Sequence, residues 1–336
     1  MRGLVTRRYL ILLSMAYLLL ALLALLIAPF IGGETVRVRQ VVHDVFHHTW
    51  NIQTEIFFYQ RIPRVLLAFL VGGSLALAGS VFQVILRNPL ATPYTLGVTG
   101  GGALGAVIAI LTPGLSLTWG PFSSVQLTAL LGAGLTLGLI YGLARRSKSI
   151  STNTLLLAGV TVGILCGALI LFVRYLASPH LLVAMDHWLM GGLDIVGYRS
   201  LAALLPLLLP GAGMLFMQMG SYNLLALGEE MALGYGVDVI SVQRLSLIGG
   251  GLVTAAAVSI AGPIGFVGLL VPHAIRRLSG FDHRILLPAS FLAGGTLLVA
   301  CDTIARTLVA PTEMPVGIIT ALVGGPFFIY LLFRKK

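Results

Sequence analysis

Apolar runs of about 20 residues recur along the whole chain, parted by short polar gaps, a pattern that reads as membrane-crossing helices. The runs fall at residues 9–31, 63–86, 94–111, 123–144, 152–176, 201–219, 242–260, 263–275, 285–301 and 315–333. Backbone groups in lipid must be satisfied within the segment or by a closed barrel, and runs of this length favour helices. The expectation is therefore an all-α integral membrane chain with about ten transmembrane helices, forming a single transmembrane domain over 1–336. The first run follows Arg2, Arg7 and Arg8, as a signal peptide would. It exceeds the roughly 7–15 residues of a signal h-region, has no clear small-residue cleavage site, and reads as a retained span with a cytoplasmic N-terminus.

Composition strengthens this reading. Hydrophobic residues make up 57% of the 336 and charged residues only 10%, against about 25% charged in soluble domains. The net charge of +10 does not indicate a nucleic-acid surface, because the bases sit in short gaps between apolar runs. Ten spans would put both termini on one side. On that side fall Arg2, Arg7, Arg8, Arg87, Arg145, Arg146, Lys148, Arg244, Arg276, Arg277, Arg284, Arg334, Lys335 and Lys336, two thirds of the 21 bases, which makes it the cytoplasmic side. Cys166 and Cys301 lie within apolar runs and read as small buried residues.

The most polar segment between late spans is 221–238, with adjacent Glu229 and Glu230 and with Gly228, Gly234 and Gly236. Leu and Ala at near-helical spacing, cut by these glycines, suggest two short helices joined by a tight turn, a shape suited to a partner's groove. An ordinary connecting loop is the alternative reading.

Other constellations carry less chemistry. Gly100, Gly102 and Gly105 satisfy G-x-G-x-x-G but lack the preceding strand that a dinucleotide site needs. No G-x-x-x-x-G-K-[ST] occurs, so ATP energy would have to come from another subunit. His43 and His47 have a metal-compatible i,i+4 spacing beside Asp44 and His48, yet no third strong ligand is fixed by the sequence. Arg61 and Arg64 flank Pro63 at the outer mouth of the second span, where they either snorkel to the interface or form a carboxylate receptor. Arg306 either joins them or pairs with Asp302 one turn earlier. Spans almost free of ionisable groups argue against an ion-coupled carrier, and no set of nucleophile, base and metal suggests an enzyme.

Several motifs together resemble the FecCD permeases, the membrane subunits of ABC importers for ferric siderophores, haem and cobalamin. They include Arg61-Ile62-Pro63-Arg64, Arg87-Asn88-Pro89-Leu90-Ala91-Thr92-Pro93, Trp188-Leu189-Met190-Gly191-Gly192 and Leu224-Leu225-Ala226-Leu227-Gly228-Glu229-Glu230. Ala261-Gly262-Pro263-Ile264-Gly265-Phe266, Asp282-His283-Arg284 and Glu313-Met314-Pro315 continue the match in order. The resemblance implies a homodimer in the inner membrane of a prokaryote, served by two cytoplasmic ATPase subunits that hold ATP and Mg and by an extracytoplasmic substrate-binding protein. It makes 221–238 a pair of cytoplasmic coupling helices between the sixth and seventh spans, with Leu224, Leu225, Ala226, Leu227, Gly228, Glu229, Glu230, Gly234 and Gly236 at the ATPase. Arg61, Arg64 and Arg306 fall where the family docks its binding protein. Catalytic residues, metal ligands and a cofactor of the chain's own are not expected. The expected cargo is an iron chelate of the ferric siderophore type, with haem or cobalamin as the alternative. An ion-coupled carrier or passive channel is the alternative of another class.

Overall fold

The computed structural model describes residues 7–32, 38–47, 51–112, 114, 118–145, 152–194 and 196–333. Arg2, Arg37, His48, Arg146, Lys148, Arg334, Lys335 and Lys336 lie outside them. The regular elements of the described chain are all helices, apart from one isolated bridge between Trp119 and Phe122. In order, α1 spans Arg7–Ile27, α2 Val38–His47, α3 Ile52–Ile56, α4 Ile62–Ile85 and α5 Val98–Leu111. There follow α6 Ser124–Arg145, α7 Thr152–Leu176, α8 Pro179–Leu189, α9 Arg199–Met217, α10 Met219–Leu225 and α11 Glu229–Gly234. The last four are α12 Val239–Ala261, α13 Val267–Ser279, α14 His283–Thr307 and α15 Val316–Phe333. A turn of π-helix, Phe57–Arg61, joins α3 to α4 without a break.

The ten expected spans are corrected by this structure. Among the described residues, seven helical segments are long and apolar enough to cross a membrane: Ile11–Phe30, Ile52–Ile85, Ser124–Gly142, Asn153–Leu176, Arg199–Met217, Val239–Ala261 and His283–Thr307. Val98–Leu111 and Val316–Tyr330 are shorter apolar helices. The discrepancy comes from irregular backbone inside apolar sequence. Residues 88–97 stay non-helical, which leaves α5 with 14 residues, or about 21 Å at ~1.5 Å per residue, against a hydrocarbon core of about 30 Å. The expected eighth span begins in the irregular stretch 262–266, and its helix α13 has 13 residues and ends on Arg276 and Arg277. The short pair α10 and α11 accordingly lies between the fifth and sixth candidate spans, not the sixth and seventh. An even count of ten no longer supports placing both termini on one side. The number and length of these apolar helices make the chain a multi-pass membrane protein.

Burial sorts the spans. In the most apolar window of the segment containing α4, 83% of the residues are buried, whereas the corresponding window of α7 is 11% buried. One apolar cluster runs through the interior, from Tyr17 on α1 to Ile319 on α15. Helices in lipid gain little by hiding apolar surface from each other, so their association rests on close packing. The antiparallel pair α4 and α14 demonstrates this at Gly72. A Cβ there would stand 2.3 Å from the carbonyl oxygen of Gly294, so only glycine lets the two backbones approach this closely.

Candidate functional site: two clusters at opposite ends of one helix pair

The first cluster forms at the start of α4. The π-turn Phe57–Arg61 widens the helix by one residue, a device frequent at functional sites, and Pro63 fits the first turn of α4, where no N–H is needed. Arg61 and Arg64 emerge there, and Arg306 arrives from the last turn of α14. The structure brings the three arginines together, and it also supplies their counter-charges. Arg64 donates through Nε to Asp302 at 3.0 Å and pairs through its terminal nitrogens with Asp302 at 3.0 Å, Asp194 at 3.3 Å and Glu313. Arg306 Nε is 3.0 Å from Asp302, an ion pair without hydrogen-bond alignment. Arg61 and Arg306 both donate to the carbonyl of Ile31, at 2.7 and 3.1 Å.

Burial of this cluster is unequal. The Asp302 side chain is 0% exposed, whereas those of Asp194 and Glu313 are 39% and 45% exposed. The open members line a cleft of about 610 Å³, together with Gln60, Arg61, Arg64 and Arg306. Neither Arg61 nor Arg64 is the snorkelling residue that sequence allows, since both are buried. Of the two readings of Arg306, pairing with Asp302 and joining the cluster are both realised.

Asp194 and Glu313 were not legible as partners. Their sequence distance from Arg64 hides them, but one signal was available: the chain has only 11 acidic residues, and three of them meet here.

The second cluster lies at the other end of the same helices. Residue Tyr222 of α10 is fully buried and its hydroxyl is 2.8 Å from Ser246 of α12; burial raises its pKa. Next to it, Asn223 accepts from the backbone N–H of His283 at 2.7 Å and donates to Asp282 at 2.7 Å. Gly228, with φ +131°, makes the turn into α11, a backbone region essentially closed to other residues. Glu229 and Glu230 occupy the first turn of α11, where the helix dipole favours acids. Glu229 reaches Arg87, just past the end of α4, at 3.5 Å. Of the expected coupling residues, Leu225 is buried and Leu224, Gly228 and Glu229 are half-buried, while Ala226, Leu227, Glu230, Gly234 and Gly236 are exposed. Leu227, Met231, Leu233 and Tyr235 are all exposed apolar side chains in and beside α11.

Between the clusters, three irregular breaks converge. Gly192 donates to the carbonyl of Ala261 at 2.9 Å, and Gly317 to that of Gly191 at 3.1 Å. Apolar cavities of about 260 and 320 Å³ flank Tyr94 beside these breaks. Non-helical backbone at membrane depth is tolerated where it is buried in protein or lines such a space. Elsewhere, the rings of His43 and His47 meet edge to face at 4.2 Å. Among the described residues, no three His, Cys, Asp or Glu side chains group so as to hold a metal ion.

The model of the FecCD transport family matches residues 18–334. The cobalamin import system permease protein BtuC of Halobacterium salinarum is 46% identical over 272 residues, covering 81% of this chain and 72% of that protein. The hemin transport system permease protein HmuU of Yersinia pestis is 39% identical over 296 residues, covering 87% of this chain and 88% of its own. A solved structure of an ABC transporter described as of metal-chelate type, in an inward-facing conformation, superposes with a TM-score of 0.83 at 31% identity. That superposition covers 96% of this chain and 98% of the other.

Proposed function

Because the chain belongs to the FecCD transport family, which makes it a transport subunit of an ABC system and not an enzyme, we propose that it imports a metal–tetrapyrrole chelate, cobalamin first and haem second. The observation that carries the cargo reading is the agreement among relatives: those at 46% and 39% identity are named for cobalamin and hemin. Both compounds are metal chelates of a large, flat macrocycle. The ferric siderophore expected from sequence therefore gives way to the alternative held beside it.

In this reading a homodimer encloses the pathway, and two ATPase subunits receive α10 and α11. The exposed Leu227, Met231, Leu233 and Tyr235 supply an apolar contact of the kind a groove would take, while Glu229 stays tied to Arg87. A binding protein docks over the arginine cleft. Its carboxylates would exchange places with the half-exposed Asp194 and Glu313, leaving Asp302 to hold Arg64 and Arg306 from within. Such an exchange suits reversible docking, since the arginines are never left without a counter-charge.

An ion-coupled carrier would require a carboxylate that titrates during transport. Asp302 is the buried acid of the candidate spans, and two guanidiniums flank it. The deciding experiment is uptake into proteoliposomes holding the chain and its co-purifying ATPase, with cobalamin, haem and a ferric siderophore offered in turn with the cognate binding protein. Cobalamin or haem uptake that needs ATP and the binding protein is expected. Uptake without ATP would overturn the importer reading, and siderophore uptake alone would overturn the cargo.

A further inference from the structure

Each end of the α4–α14 pair is tied to one of the two clusters. At one end Arg64 of α4 meets Asp302 of α14; at the other, Arg87 after α4 meets Glu229 of α11, and Asn223 of α10 meets Asp282 and His283 at the start of α14. With 24 and 25 residues, the two helices each span roughly 36 Å at ~1.5 Å per residue. Along that length their backbones are in contact at Gly72 with Gly294, and Gly73 and Gly295 face aromatic rings of the opposite helix. A pair packed this closely transmits strain along its length, and Pro288 marks the point in α14, between His283 and Gly294, where the helix gives up a backbone hydrogen bond.

The joint at Asn223 has a defined polarity. Its oxygen must face the His283 backbone N–H, and its amide nitrogen must face the Asp282 carboxylate. His283 Nδ1, 2.9 Å from the same oxygen, must then carry a proton, which leaves Nε2 as a lone-pair acceptor. That Nε2 is buried without a partner, and so is a terminal nitrogen of Arg276, whose charge acts on the same imidazole. Tyr222, packed beside the His283 ring at 5.9 Å between centroids, fixes the same helix to α12.

We infer that Asn223, through Asp282 and His283, is the positioning residue that carries displacement of α10 into α14 and so to the Arg64–Asp302–Arg306 cluster at its far end. This rests on the reading of α10 and α11 as the ATPase-coupling stretch, and it deepens that reading by naming the joint and the rod. Binding-protein docking and ATPase closure would then act on one packed helix pair from its two ends.

The test uses the whole complex with its co-purifying ATPase, in a background with Cys166 and Cys301 replaced by serine. One fluorophore is attached at Gly220→Cys, exposed on α10 where a side chain meets open space, and in a separate preparation at Thr307→Cys, exposed on the last turn of α14. ATP with vanadate is expected to change both signals. Asn223→Asp sets carboxylate against carboxylate; the Gly220 signal should persist while the Thr307 signal falls about five-fold or more. Adding Asp282→Asn exchanges donor and acceptor, keeps a capping side chain on α14, and should restore the Thr307 response. A support role for Asn223 in folding alone would not separate the two reporters. Should Asn223→Asp fail to assemble, Asn223→Ala removes the donor to Asp282 without adding charge and is expected to give the same split. A full Thr307 response in either variant overturns the inference, as does a parent complex in which only Gly220 responds. Silence at both positions overturns the coupling reading itself and the joint with it.

Discussion

Asp302 and Arg64 lie 238 positions apart and meet at 3.0 Å, with the carboxylate wholly enclosed between two guanidiniums. An arrangement of this kind is costly to half-remove. Asp302→Ala would take the ion-pair partner from buried Arg306 and leave Arg64 with the half-exposed Asp194 and Glu313, a loss of about 3–5 kcal/mol by analogy with other broken buried pairs. The expected outcome is a lower melting temperature and poor recovery from detergent. The double variant Arg64→Leu with Asp302→Leu should recover part of that loss, and a double variant no better than the single one would contradict the pairing.

The half-exposed acids predict opposite effects on docking. Glu313→Gln removes a competitor for Arg64 and is expected to tighten binding-protein association by a few-fold, about 0.5–1 kcal/mol for an exposed charge. Arg61→Ala should weaken it by a similar factor. Both effects should shrink as salt rises, because a Debye length of about 10 Å at 0.1 M falls to ~3 Å at 1 M. Titration of labelled binding protein onto nanodisc-held complex at two salt concentrations measures this. Shifts of the same sign would remove the exchange model.

Gly228 offers a test of the short-helix pair. Gly228→Val forces a side chain into a backbone region that costs about 1–3 kcal/mol, so α11 should turn away from α10. ATPase recovered with the chain is expected to fall about ten-fold, the equivalent of 1.4 kcal/mol. Full recovery with full transport would return 221–238 to the status of a plain connector.

Gly72→Leu probes the rod. With the Gly294 carbonyl 2.3 Å from an added Cβ, α4 and α14 must part, at about 1–3 kcal/mol for overpacking or more. The expected readout is a lower melting temperature, which substitution of the unobstructed Gly134 by leucine should not reproduce.

Sequence reasoning succeeds here where a relation is local and falters where it is not. The Asp302–Arg306 pair follows from i,i+4 spacing, and the turn at Gly228 from glycine chemistry. Arg64 with Asp302, Glu313 and Asp194 depends on how helices assemble, which no local spacing encodes. The span count erred for a different reason. Hydropathy cannot distinguish helix from buried irregular backbone, so Pro263–Phe266 reads as the opening of a span even though Phe266 takes φ +66° there. Asn223 is not distinguished by sequence, because an amide in a polar connector is ordinary and its partners lie 59 and 60 positions away, at the start of α14.

Ile31 and Ala28 contribute to the arginine cluster through their carbonyl oxygens. Every amino acid carries that group, so a deep mutational scan would score the exposed Ile31 as tolerant of most replacements and the core-buried Ala28 as tolerant of small ones. Shortening the segment by one residue would instead rotate both acceptors away from Arg61 and Arg306, and a deletion library would find indispensable what a substitution library passes over.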